Sequence, residues 1–415
     1  MLEISQKDRD ILRGLAGQVA EIAALPIQKE RAKLWTDLND LEPTRPLVWI
    51  NEICWGEINV NDELTCRCEG DWARGQEGNF RRLLYQWNHM PGDMIVSDHL
   101  EARLAIRSTG FGIDQITDST ESDVLSSVHF IPQMKEPKDI EKIKMPEVTH
   151  DEAATEANYE AMCDVFGDIL PVKKVGIKGT WFAPWDNLIR WWGVQEAMMD
   201  LVLKSDLVNE AMTRLVDCYL HELDQWEELN LLSSNINNTR VGSGGYAHTT
   251  ALPPDDCDPG RLRPKDVWGC ATAQIFSEVS PEMHWEFALR HEMRWLERWG
   301  LTYYGCCEPL DLKMDILRRV PNLRKVSMSA WINVDRAVEK VGADYVFSHK
   351  PNPAILAEDG WRPEVARNNL VEVLEKARGC RIEIILKDIS TVRNDPRRLW
   401  EWETIAMEVA DEFAP

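Results

Sequence analysis

Two adjacent cysteines and a glutamate, Cys306, Cys307 and Glu308, interrupt the run "YYGCCEPLD" (303–311) directly after an apolar stretch. Thiolate, carboxylate and imidazole are the usual ligands of zinc, and a catalytic zinc takes three of them and leaves a fourth position open. Neighbouring residues on a strand point to opposite faces, so both thiols can reach one ion only if the strand has ended there. Pro309 suggests that it has. Three uses of the run stay open at this point. It can hold a metal with at least one cysteine, hydrogen-bond at the rim of the fold, or supply a nucleophilic thiolate activated by His349 or Lys350.

Other residues attract less chemistry. Ten cysteines are scattered along the chain without a CxxC pair, and Cys66-Arg67-Cys68, the only other close spacing, reads as structural. His284 and His291 lie on one face of a helix but too far apart for an i, i+4 zinc pair, so they read as surface or interface residues. His248 falls in a long loop, where it could be a mobile ligand or acid, and His99 beside Asp98 reads as structural. Four of the 18 tryptophans crowd into "WFAPWDNLIRWWG" (181–193). Either they pack a core, or Trp181, Trp185 and Asn187 line an aromatic pocket for a flat or cationic small molecule.

The elements that must position these groups follow from the hydrophobic pattern. Residues 1–45 predict a helical extension, with Ser5 and Asp8 as an approximate capping box and Ile11, Leu12, Leu15, Val19 and Ile22 as its apolar stripe. "RPLVWINEI" (45–53) reads as a buried strand. From residue 280 onward the chain repeats helix then strand. "SPEMHWEFALRHEMRWLERWG" leads into "LTYYGCCE", and "DLKMDILRRVPN" into "RKVSMSAW". "VDRAVEKVG" feeds "ADYVFSHKP", and "PEVARNNLVEVLEKARG" feeds "RIEIILKD". Ser280 as cap, Pro281 at the first helical position and glycines just past the helix ends punctuate these units. Alternation of this kind implies a parallel sheet with helical crossovers. With "VWINEI", "HFIPQM", "VGIKGTWF" and "SSNINNTRV" added, the pattern predicts a (β/α)8 TIM barrel over residues 46–415 as one catalytic domain, a doubly wound sheet being the runner-up. "GSGG" (242–245) reads as a flexible loop rather than a phosphate cradle.

Barrel active sites lie at the carboxyl ends of the strands. Those ends collect Asn51, Glu52 and Glu57, then Trp181, Trp185, Asp186 and Asn187, then Asn237 and Asn238. The clear units add Cys306, Cys307 and Glu308, Ser329 and Trp331, His349, Lys350 and Asn352, and Lys387 with Asp388. The expected catalytic groups are Glu308, His349, Lys350 and Asp388. Cys306, Cys307, Glu308 and His349 are the expected zinc ligands, and Glu52, Trp181, Trp185, Asn187 and Trp331 the expected substrate contacts.

Composition narrows the partners. A net charge of −23 argues against nucleic acid, because phosphate neutralisation needs clustered Lys and Arg. The charged amino-terminal segment lacks a signal-like apolar region, and no run of about 18 apolar residues occurs. A cytoplasmic protein without a membrane partner is the expectation.

"SPEMHWEFAL", a strand ending in Cys one helix later, and "GADYVFSHKPNP" together resemble the uroporphyrinogen decarboxylase superfamily from about residue 160 to the end. The resemblance implies a (β/α)8 barrel, often dimeric, and hence an expected homodimer. It includes zinc-dependent methyltransferases that pass a methyl group to a corrinoid carried on a partner protein, in methylotrophic and O-demethylating anaerobes. "INEICWGEINVNDE" is acidic where the decarboxylase itself is basic, which turns the reading toward the methyltransferase branch. That branch carries His-x-Cys on one strand and a further Cys near the last. Tyr304, Cys306 and Asp388 stand at the matching positions, so a substitute ligand set would draw on Cys306 or Cys307 with Glu308, His349 or Asp388. The implied reaction moves a methyl group from a small methylated substrate, an aryl methyl ether or methylamine, to the corrinoid, with zinc as Lewis acid. The alternative is a metal-independent decarboxylase or lyase of a small carboxylate, with Lys350 or Lys387 holding the anion and Asp388 steering protons. A non-catalytic ligand-binding barrel is the third reading.

Overall fold

A computed structural model describes residues 3–118 and 129–415. Six strands form its central sheet: β1 (Leu47–Ile50), β2 (Trp268–Ala271), β3 (Leu301–Tyr304), β4 (Leu323–Met328), β5 (Val346–His349) and β6 (Arg381–Leu386). They lie in the order β1-β6-β5-β4-β3-β2, all parallel. Helices connect them where the pattern places them. Ser280 caps the helical run from Pro281 to Leu296, which takes a π turn at Trp285–Leu289, and Asn333 caps Val334–Val341. Pro363–Lys376 precedes β6. Only one short turn of helix, Met314–Leu317, forms in "DLKMDILRRVPN".

Parity along each strand separates two environments. Tyr304, Val326, Met328, Phe347, Ile382, Ile384 and Leu386 join the large apolar core between sheet and helices. The opposite, concave face is unusually polar: Tyr303, Lys325, Ser327, Ser348 and Glu383 are all fully buried there. Lys325 Nζ lies 2.8 Å from Glu383 Oε2, and Ser327, Ser348 and Glu383 stand level on three neighbouring strands. "GSGG" packs into this concavity and is no flexible loop. Ser243 Oγ and Tyr303 OH are 2.9 Å apart, and Gly245 N donates to Glu383 Oε1 at 3.1 Å. A Cβ on Gly245 would fall 2.3 Å from the ring of Trp35, so only glycine admits that close approach. Trp35, fully buried, comes from the second of two amino-terminal helices, Gln6–Ala23 and Ile27–Asn39.

The expected closure into an eight-stranded barrel is not formed by the ladders of the described residues; the architecture is α/β around an open six-stranded parallel sheet. Single residues from neighbouring segments, instead of further strands, bond both edges. On β2, the Asn235 amide accepts from Trp268 N at 3.0 Å and donates to Trp268 O at 2.9 Å. On β1, Asp93 Oδ2 accepts from Val48 N at 2.8 Å while Asp93 N donates to Val48 O at 2.7 Å. "VGIKGTWF" contributes only Val175, the last residue of a strand Val172–Val175 paired with Leu100–Arg103, and Ile177, bridged to Leu232, while "SSNINNTRV" contributes only the bridge from Arg240 to Tyr246. "HFIPQM" yields a two-residue ribbon, His129–Phe130 with Thr117–Asp118, apart from the sheet. Strand β2, absent from the sequence expectation, replaces them. "WGCA" carries Gly and Cys rather than a β-branched run and follows a long polar loop, so local pattern gives it little weight.

Candidate active site

Strand β3 ends at Tyr304, and Gly305 turns the chain with φ +99°. A Cβ at that glycine would meet Leu310 Cδ1 at 2.5 Å. The turn breaks strand alternation, so the two thiols face the same side, their sulfurs 3.5 Å apart. Lys387, at the end of β6, reaches between them: its Nζ is 3.6 Å from Cys306 Sγ and 3.8 Å from Cys307 Sγ. The same ammonium lies 2.6 Å from Asp388 Oδ2 and 3.7 Å from Glu52 Oε2. Cys307 Sγ is 3.7 Å from Asp388 Oδ2. Glu52 and Asp388 both hold left-handed backbone, φ +52° and +57°, at the ends of neighbouring strands. Such conformations cost of order 1 kcal/mol each outside glycine and gather at functional sites.

These groups open on a cavity of ≈ 200 Å³ lined by Cys306, Cys307, Trp331, Asn352, Lys387 and Asp388 among others. Trp331 is 71% exposed and stands at its edge. Lys350 lines the cavity too, but its ammonium turns under the floor, donating to Tyr303 OH at 2.8 Å and Ser348 O at 2.9 Å. Burial pushes that ammonium down to about 7. Lys387 is held above the ordinary lysine value because the surrounding sulfurs and carboxylate outweigh its own burial. The thiols divide. Cys307 is lowered by the hydrogen bond from Cys306 and the nearby Lys387 charge, while Cys306 is raised by donating that bond and by burial.

Other expected site residues turn elsewhere. Glu308 is fully buried behind the turn, accepting from Cys306 N at 2.8 Å and from Thr272 Oγ1 at 2.9 Å. It fixes the thiol turn and does not face the cavity. His349 follows the parity of Phe347 toward the helices, where burial pushes it down to about 3 and its Nδ1 has no partner. Trp185 is fully buried and donates to Phe287 O at 2.9 Å, so it is core. Asn187 donates to Tyr219 OH at 2.7 Å, away from both thiols. Trp181 is exposed and lines a second cavity. His248, half-buried, is tied to Asn238 Oδ1 at 2.8 Å, and His284, fully buried rather than at the surface, to Tyr304 OH at 2.7 Å.

The expected zinc set is therefore not assembled. Two of its four members face away, and the Lys387 ammonium already sits among the remaining donors. Among the described residues no group of three or more His, Cys, Asp or Glu side chains is arranged to hold a metal ion. No helix of the described residues is long and apolar enough to cross a membrane.

Sequence reading missed the lysine as the centre of the cluster, and it missed the layer beneath: Tyr303, Ser348, Lys325 and Glu383. A signal was there. In "RKVSMSAW" Lys325, Ser327 and Ser329 alternate with apolar residues, and in "RIEIILKD" Glu383 and Lys387 share one parity, which marks a polar sheet face.

No family model matches the chain, and neither does any curated protein. Among solved structures, a methyltransferase from Methanosarcina mazei is similar, with a TM-score of 0.50 and 12% identity over 92% of this chain and 98% of that one. At that identity the likeness is one of fold.

Proposed function

We propose that the chain is a methyltransferase that takes a methyl group from a small methylated substrate and passes it to a corrinoid on a partner protein. The observation that carries this reading is the Lys387 cluster at the foot of a small cavity on the carboxyl side of the sheet, in a fold shared with a methyltransferase. The resemblance of "GADYVFSHKPNP" to the uroporphyrinogen decarboxylase superfamily supports the same branch. When a methyl group leaves oxygen or nitrogen as the acceptor attacks it, negative charge develops on the leaving atom. A fixed cation beside that atom lowers the barrier without reorganisation. Lys387, oriented by Asp388 and Glu52 and kept charged by them, supplies it. Lys350 supports the floor through Tyr303 and Ser348. Trp331, exposed at the edge of the cavity, offers a flat apolar wall to the methylated group.

The test is spectroscopic. Purified protein is mixed with cob(I)alamin and, in turn, aryl methyl ethers and methylamines, and methylcobalamin is followed by absorbance. One donor class is expected to react, with Lys387→Met reducing the rate ~100-fold or more, the size of loss typical for a group that stabilises transition-state charge. Lys387→Arg, which keeps the charge, should retain more. No methylcobalamin from any donor, with loss of CO2 from a small carboxylate instead, would establish the lyase reading in its place.

A further inference from the structure

The larger cavity, ≈ 500 Å³, lies between the segment 175–181 and strand β2, and the mechanism above does not use it. Its charge runs against that of the molecule. In a chain of net −23 its walls carry Arg103, Lys178 and Arg240 against the single acid Glu101, which pairs with Lys178. Arg103 is exposed, and among the described residues no acid pairs with it. Arg240 spends Nη1 on Glu52 Oε1 at 2.7 Å, and its Nε is buried with no partner. Thr180, another residue of the wall, likewise has a buried Oγ1 without a partner. Buried polar groups are nearly always hydrogen-bonded, so two orphans on one cavity mark where a ligand's polar atoms belong. Trp181 offers a flat apolar wall beside them. Glu52 links this cavity to the first, joining Arg240 to the neighbourhood of Lys387.

We infer that this cavity is a carboxylate subsite for a small, flat, singly charged substrate, gripped by Arg240 Nε and Thr180 Oγ1, with Arg103 adding attraction and Trp181 stacking on its body. The inference deepens the methyl-transfer reading and rests on it only for the orientation, carboxylate in the large cavity and methyl end toward Lys387. A guanidinium edge and a hydroxyl suit a planar carboxylate. Glu101 in the wall opposes a dianion such as a phosphate monoester.

Benzoate, which has no methyl group to give, separates the subsite from the reaction. Calorimetric titration without any acceptor is expected to show saturable benzoate binding, at least tenfold tighter than benzamide or phenyl phosphate. Thr180→Val, Arg103→Ala and Arg240→Gln should each weaken it, Arg240→Gln by tenfold or more, equivalent to ~1.4 kcal/mol. Thr180→Val and Arg103→Ala leave the Arg240–Glu52 pair intact, so they report on the site even if Arg240→Gln disturbs the fold. Equal binding of benzamide, unchanged affinity in Thr180→Val, or no benzoate binding would overturn the inference, and tighter phenyl phosphate would overturn its chemical class. Because no methyl group moves, benzoate binding without any methyl transfer would leave the subsite standing and remove the proposed reaction. Transfer from neutral donors alone, without benzoate binding, would do the reverse.

Discussion

At the scale of single residues, the site turns on which of two neighbouring thiols gives up its proton. Lys387 lies within 4 Å of both sulfurs, and the Cys306 contact and that charge lower Cys307 against the opposing Asp388 carboxylate, while burial and the same contact raise Cys306; Cys307 also has the more open position. Thiolates react and thiols do not. Iodoacetamide near neutral pH should therefore alkylate Cys307 well before Cys306, as mapped by peptide mass spectrometry. Cys306→Ala and Lys387→Met should each slow that labelling, roughly tenfold for each unit by which the thiol rises. Preferential labelling of Cys306 would reverse the assignment. The adjacency of the cysteines was legible in the sequence; their contact with a lysine 80 residues away in the chain was not.

At the scale of elements, the polar concave face is the unusual feature. Lys325 on β4 and Glu383 on β6 form a fully buried pair, and Glu383 also receives Ser348 and the backbone of Gly245. Removing one partner of such a pair strands the other charge away from water, at about 3–5 kcal/mol. Lys325→Met is expected to lose about that much in urea denaturation, and to loosen the "GSGG" segment, seen as faster amide exchange at Gly245. A loss below 1 kcal/mol would mean that water reaches Glu383. Asn235 with its side-chain amide, and Asp93 with its carboxylate and its backbone N–H, satisfy the edge strands, so the flanking segments need not extend into full strands.

At the scale of the whole molecule, histidines set the response to acid. Burial pushes His349 down to about 3 and His248 and His291 to about 4, and lowers His284 well below its ordinary value of 6.5. The unfolded chain protonates all of them near 6.5, so it binds more protons than the fold between about 4 and 6.5. Their contribution is fully present above 6.5 and is lost as pH falls through that window. Glu292 opposes them: burial raises it to about 8, so the fold keeps its proton while the unfolded chain releases it near 4.5, and stability falls as pH rises between those values. Burial also raises Glu222 and Glu403, which act with Glu292, so four groups against three leave a net loss on acidification. Urea midpoints at about pH 6.5 and about pH 5 should differ accordingly; equal midpoints would mean that these rings are hydrated in the folded state.

Repeated helix-then-strand punctuation after residue 280 determined the four parallel strands β3 to β6 and the side on which chemistry gathers, because caps, glycine stops and periodicity are local properties of the chain. The same local reading placed Cys306, Cys307, Trp331, Lys387 and Asp388 at one rim. What local pattern does not encode is side-chain direction after a turn and the pairing of distant polar groups. The positive φ of Gly305, the turning of Glu308 and His349 away from the thiols, the burial of Trp185, and the meeting of Lys387 with both sulfurs were decided by tertiary structure. Each depends on which partner lies across space, and burial makes that partner's charge count for more than the residue's own type.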